Sequence, residues 1–235
     1  MQTHPTNYDT IIAGEHWFET QVTIAGNAVA ETSIMSLNRS RPGMPENKPS
    51  GGALSATLNL TILKPNFSIP KLATIVVKVR ARNSSLTSGW LNQGTFFIDT
   101  RKNNESAGSL GTIQITAYDS MAKAEADYPS VNHSWPALDK TVVSDIATAI
   151  GVTVDSRTNS FLTSGYMIDL PLGYTMRETL EHIAAAYGGN FVITADNKLL
   201  FVPLYGFEPR VIGNYLADTN GDALVFGNEG WCILV

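Results

Sequence analysis

Between residues 54 and 63 apolar and polar side chains alternate almost without interruption. Leu58, Leu60 and Ile62 fall on one parity, and Thr57, Asn59 and Thr61 fall on the other. Successive side chains of a strand point to opposite faces, so this stretch requires a sheet with one dry face and one wet face. The same alternation recurs at 112–116, where Ile113 and Ile115 interleave with Thr112, Gln114 and Thr116. Shorter segments rich in Thr, Val, Ile and Phe (Gln21–Ala25, Glu31–Asn38, Ala73–Arg82 and Thr95–Thr100) extend the pattern, so residues 8–128 read as nearly continuous β-structure. Turn chemistry separates the strands: Arg41-Pro-Gly-Met-Pro, Pro49-Ser-Gly-Gly, Lys64-Pro-Asn and Asn83-Ser-Ser. Many short strands divided this way predict a sandwich or a barrel.

The period changes after Tyr118. Asp119 is placed to cap a short helix, Ser120–Asp127, that ends near Tyr128-Pro129. A connector containing Pro129 and Pro136 leads to an amphipathic helix over Val142–Ile150, closed by Gly151. Thr175–Tyr187 is the strongest helix signal. Thr175 and Glu178 have capping-box spacing, Leu180, Ile183, Ala184 and Tyr187 make an apolar stripe, and Gly188 supplies a left-handed stop. Asn190–Thr194 and Lys198–Pro203 then pair as a hairpin, and Asn220-Gly221 predicts a tight turn between Tyr215–Ala217 and Ala223–Phe226. The expected organisation is a β domain over 1–128, an α+β module over 129–203 and a β-rich segment over 204–235. That last segment is expected to pack back on an earlier domain.

Composition narrows the function. The net charge of −5 argues against a general nucleic-acid-binding surface, which needs a basic face. Lys78, Arg80 and Arg82 alternate on one predicted strand and so share one face, read here as a solvated one. The single cysteine, Cys232, forms no intrachain disulfide. The opening Met-Gln-Thr-His-Pro holds no basic and apolar leader, and no apolar run has the length of a membrane span.

Catalytic and metal signatures are missing. Glu15-His16-Trp17-Phe18-Glu19 lacks the second histidine of a zinc helix, and His182 has no His or Cys at ligand spacing. No Gly-x-Ser-x-Gly elbow occurs. Asp99, Asp119, Asp127 and Asp169 are the carboxylates from which a hydrolytic pair would have to come. Asp218-Thr-Asn-Gly-Asp222 departs from a calcium loop and reads as a hairpin turn. No catalytic, metal-ligating or cofactor-binding residue is assigned, and the expectation is a protein that is not an enzyme. Phe96 and Phe97 are adjacent on a strand and must face opposite sides. With Trp90, Arg39 and Arg41, they are the candidate interface residues.

The order of these elements resembles one family. Trp90-Leu-Asn-Gln-Gly-Thr-Phe-Phe-Ile-Asp looks like the tryptophan-led strand of phage tail-hub proteins, and Thr112-Ile-Gln-Ile-Thr-Ala-Tyr-Asp-Ser-Met-Ala-Lys resembles the strand and short helix that follow it there. Trp135-Pro, the Val142–Gly151 helix and Thr175–Phe191 are similar to the module after the barrel. The layout is that of contractile-phage baseplate hubs, of tail-associated proteins of siphophages and prophages, and of the base of type VI secretion spike proteins. The resemblance covers roughly residues 8–203. It implies an antiparallel, tail-tube-like β-barrel followed by an α+β module, a homotrimer around a channel, and a role as adaptor between tail tube and spike or fibre. It also implies contacts with distal tail proteins and a place at the virion tail tip after synthesis in the bacterial cytoplasm. A carbohydrate-binding host-recognition module and a cell-wall-degrading tail enzyme are the alternatives. Family members usually run on beyond this point, often into a wall-degrading or host-binding domain, so the chain is expected to be either a short member or an N-terminal part.

Overall fold

The computed structural model describes residues 5–47, 49–104, 111–129, 133–162, 165–204, 224–226 and 232–234. In chain order, helix α1 (Tyr8–Ile12) precedes β1 (Trp17–Ile24), β2 (Asn27–Val29), β3 (Ile34–Ser40), β4 (Gly52–Leu54) and β5 (Thr57–Leu63). Then come β6 (Thr74–Arg82), β7 (Leu91–Asn104), β8 (Thr112–Tyr118) and a 3-10 turn, Ser120–Glu125. The second half holds β9 (Ala137–Leu138), α2 (Asp139–Ala149), β10 (Thr153–Val154), α3 (Ser156–Phe161) and β11 (Met167–Ile168). It continues with α4 (Met176–Ala186), β12 (Gly189–Ile193) and β13 (Lys198–Pro203), and the chain ends on β14 (Leu224–Phe226) and β15 (Cys232–Leu234).

The fold is mainly β with a few helices. Seven strands form one antiparallel sheet in the order β2-β1-β6-β7-β8-β5-β3. Its apolar parity forms one core, with Val22, Leu58, Leu60, Ile75, Phe96 and Ile115 all essentially inaccessible. Val29 of β2 and Ile34 and Leu37 of β3 pack on that same core, so residues from both ends of the strand order meet over one apolar face. A hydrogen bond reinforces this curvature. Arg39 lies opposite Leu58 and so shares its inner face. Its Nη1 donates to Gln93 Oε1 of β7 at 2.7 Å, although β5 and β8 stand between β3 and β7 in the strand order. Gln93 is the extra residue of a β-bulge, between Gly94 opposite Val77 and Asn92 opposite Lys78. Gly94 sits at φ 140°, and a Cβ there would strike the Phe96 ring. Hydrogen bonding joins the seven strands in a row whose ends are β2 and β3.

The second core belongs to α2, α3, α4 and a four-stranded sheet, β10-β13-β12-β4. Phe191 and Phe201 are fully buried at its centre, with Phe161 and Tyr187 edge-on or tilted against Phe201. Thr175 and Glu178 form the reciprocal capping box, and Gly188 has φ 65°.

The structure differs from the sequence reading in several places. Residues 8–12 are helical, and Ile11 of α1 is fully buried where the helix contacts β6. The alternating run at 54–63 divides at Ser55-Ala56, and its first piece leaves the large sheet. Instead β4 runs parallel to β12, the Gly52 N–H donates to buried Asn190 Oδ1 at 2.8 Å, and the Gly51 N–H donates to Gly189 O at 2.8 Å. Ser156–Phe161, unassigned from sequence, is a helix capped by Asp155. Met121, Ala124 and Ala53 also sit in the second core.

The chain divides into compact units after Leu204. In the second unit β14 pairs antiparallel with β15. The strand expected at Tyr215–Ala217, the Asn220-Gly221 turn and the acidic run Asp218–Asp222 lie outside the described residues.

Candidate interaction surfaces

The outer face of β1 and β6 carries a ladder of aromatic and charged side chains. Register places Trp17 opposite Arg82, Glu19 opposite Arg80 and Gln21 opposite Lys78. Glu19 accepts from Arg80 and from Arg82, at 2.6 and 2.7 Å, and the two guanidiniums hold its carboxyl below the usual range. Arg80 also lies over the ring of Trp90, 4.4 Å from its centroid. The expected shared face of Lys78, Arg80 and Arg82 is therefore present, but two of the three cations are paired within the chain. Trp17 and Trp90 remain substantially exposed beside them.

Phe96 and Phe97 separate as their parity requires. Phe96 is in the sheet's core, while Phe97 faces outward and is half-buried, with the Lys123 ammonium 3.6 Å from its ring centroid. Arg39 is turned inward by a bulge between Ile34 and Ser36 and is half-buried, and burial lowers its pKa. Arg41 follows β3 on an exposed loop whose charge acts on Asp119.

Asp119 is the joint between the two cores. Its carboxylate is buried and accepts from Ser55 Oγ at 2.8 Å, the Ala56 N–H at 2.8 Å and the Met121 N–H at 3.1 Å. Burial pushes its pKa up, and those hydrogen bonds pull the other way. Within the second core, Arg177 of α4 donates to the carbonyls of Ala53 and Met121 and pairs with Glu125.

The remaining carboxylates do not converge. Asp99 is exposed on β7, Asp119 is used as above, and Asp127 and Asp169 line two different clefts. His16 bonds to the Gly14 carbonyl, and exposed His182 stands edge-on to Tyr174. Among the described residues no three His, Cys, Asp or Glu side chains group as a metal site. Among the same residues no helix is long and apolar enough to cross a membrane.

Sequence reasoning missed the surface around β11 and the loop after it. A cleft of about 330 Å³ is lined by Tyr166, Leu170, Pro171, Tyr174, Ile183 and Tyr187. Asp139 lies at its base, accepting from Tyr187 Oη and the Lys140 N–H. A second cleft of about 430 Å³ opens on the other side of the 170–174 loop, against Asp127, Tyr128 and Trp135. The signal was the apolar content of Asp169-Leu-Pro-Leu-Gly-Tyr, a loop by its Pro and Gly but not by its leucines.

Comparison with known proteins finds likeness at the level of fold. No family model and no curated protein sequence matches the chain. Among solved structures, the tail protein from Neisseria meningitidis MC58 superposes with a TM-score of 0.50 at 16% identity, over 78% of this chain and 51% of that one. The 43 kDa tail protein of prophage MuSo2 from Shewanella oneidensis superposes with a TM-score of 0.53 at 14% identity, over 78% of this chain and 54% of that one. The chain therefore has a fold found in phage and prophage tail proteins and spans about half the length of the structures it matches.

Proposed function

We propose that the chain is a structural component of a phage or prophage tail, a hub or adaptor at the tail tip that works through subunit contacts and not through catalysis. The observation that carries this reading is the fold shared with two tail proteins over 78% of the chain. Further support comes from the curved seven-stranded sheet, whose two ends bury apolar residues in one core. In this reading that sheet is the barrel of the hub and the α+β half is the module beside it. Three copies surround a channel, with the tail tube on one side and a spike or fibre on the other.

Edge strand β3 supports assembly. Among the described residues it pairs on one side only, with β5, and it contains no proline. The test is twofold. Sedimentation of the purified chain is expected to give a trimer, and gold-labelled antibody is expected to mark the tail tip of virions. A strictly monomeric chain that labels no virion would overturn the proposal. Turnover of peptidoglycan fragments by the pure chain would replace the structural reading with an enzymatic one.

A further inference from the structure

The loop between β11 and α4 is an exposed apolar ridge with a fixed shape. Leu172 is 82% exposed, and Tyr166, Met167, Leu170 and Tyr174 are each about half exposed. Side chains of this size are rarely left in water together on a monomer without a partner. Backbone bonds pin the ridge on both sides. β11 pairs with β9, the Asp139 N–H donates to Tyr166 O at 2.9 Å, the Tyr128 N–H donates to Tyr174 O at 3.1 Å, and Asp127 bridges to Thr175. Such a surface loses little freedom when something docks on it.

The clefts beside the ridge differ in chemistry. The first, about 330 Å³, is walled almost entirely by carbon, from Ile183 and Ala186 of α4 to Tyr166 and Leu170. That volume takes one leucine, phenylalanine or tryptophan side chain. The second, about 430 Å³, sets the aromatic rings of Tyr128, Trp135 and Tyr174 beside the carboxylate of Asp127. Aromatic faces and a carboxylate together attract a cation. Among the described residues Asp127, Asp139 and Asp169 line the two clefts, while no lysine or arginine does. Neither Asp127 nor Asp169 has an ion-pair partner among the described residues.

We propose that this ridge binds a segment of another protein that places an apolar side chain in the first cleft and an arginine or lysine in the second. The ridge residues Leu170, Pro171 and Tyr174 line both clefts, so they separate the two anchors and set their spacing. The inference holds whether or not the chain works at a tail tip, because it rests on this surface alone.

Fluorescence polarisation with labelled ten-residue serine peptides tests it. Each peptide carries one Leu, Phe or Trp and one Arg, separated by one to four serines. At least one spacing is expected to bind in the micromolar range. Binding is expected to weaken at least tenfold when Glu replaces Arg or Ser replaces the apolar residue. Ala186→Arg obstructs the first cleft and Asp127→Lys reverses the charge of the second. Both positions are exposed, so the melting temperature should hold while each variant loses binding at least tenfold. The proposal is overturned if no peptide binds at about 1 mM, if Glu peptides bind as well as Arg peptides, or if neither variant weakens binding. Self-association abolished by Leu172→Asp would also overturn it, by giving the ridge to a second copy of this chain.

Discussion

Removing the Asp119 carboxylate should separate the two cores. In Asp119→Ala the N–H groups of Ala56 and Met121 lose their side-chain acceptor, and both residues are essentially inaccessible, so water cannot replace it. A buried donor left unpaired costs about 1–3 kcal/mol, and loss of a helix cap costs about 1 kcal/mol. Relief from burying the charge offsets part of this, since burial is the largest influence on Asp119 and raises its pKa. The net expectation is a loss of about 2–3 kcal/mol at pH 7.

The pH dependence carries the sign. With its pKa above the ordinary 3.8, the folded chain binds the Asp119 proton more readily than the unfolded chain does. Asp119 therefore contributes more stability as pH falls from the folded value towards the unfolded one, and less as pH rises through the folded value. Urea denaturation followed by tryptophan fluorescence, at pH 7 and at steps down to about pH 4, measures both effects. The gap between wild type and Asp119→Ala should widen as the solution is acidified. A gap below about 0.5 kcal/mol at pH 7, or one that narrows on acidification, refutes the reasoning.

Asp155 should show the opposite slope. Arg157 holds its carboxyl at about 2, so its stabilising effect is present above the unfolded value of 3.8 and is lost as pH falls through about 2. Because Arg157 is half in solvent, Asp155→Asn is expected to cost about 1 kcal/mol at pH 7, read by urea denaturation. Gly189→Ala puts a methyl group against the Phe201 ring and the Val202 carbonyl, where the backbone cannot retreat. The melting temperature should drop by an amount equivalent to about 1–3 kcal/mol. Thr175→Ala breaks the capping box of α4 and should cost about 1 kcal/mol, with hydrogen exchange accelerating first at Arg177 to Thr179.

What was legible in the sequence was whatever depends on neighbours a few residues away. Alternation places β6, β8 and the end of β5 almost to the residue, and the Thr175 box and the Asp119 cap are legible from local sequence alone. The opposed faces of Phe96 and Phe97 followed from the same period. What failed depends on partners far along the chain. β4 is three residues of Gly, Ala and Leu, and it leaves the run at 54–63 because its pairing groups lie on β12 and Asn190, 138 positions beyond Gly52. The inward turn of Arg39 is not legible in the sequence, because a bulge is invisible to a period of two. The irregularity between Ile34 and Ser36 puts Ile34 and Leu37 on one face, and Arg39 follows them inward. The apolar ridge was passed over because its Pro and Gly mark a loop, and loops are read as polar by default.

The two halves of the chain present different surfaces. The large sheet buries its apolar parity within itself and leaves outward a face of threonine, asparagine and paired charges, as in the Thr116 to Asn59 hydrogen bond and the Glu19–Arg80–Arg82 cluster. Such a face is well solvated, so any grip it exerts on a neighbour must come from its edges and from the partly exposed Trp17 and Trp90. The α+β half does the reverse. Its core is closed by Phe191 and Phe201, yet it keeps uncovered a ridge of leucine and tyrosine that no element of the described chain packs over. Asp119 joins the halves by accepting from the N–H of Ala56 in the first core and of Met121 in the second, and Arg177 fastens α4 to Met121 and Ala53 within the second. The adaptor role proposed above would draw on that coupling between the sheet and the α+β half.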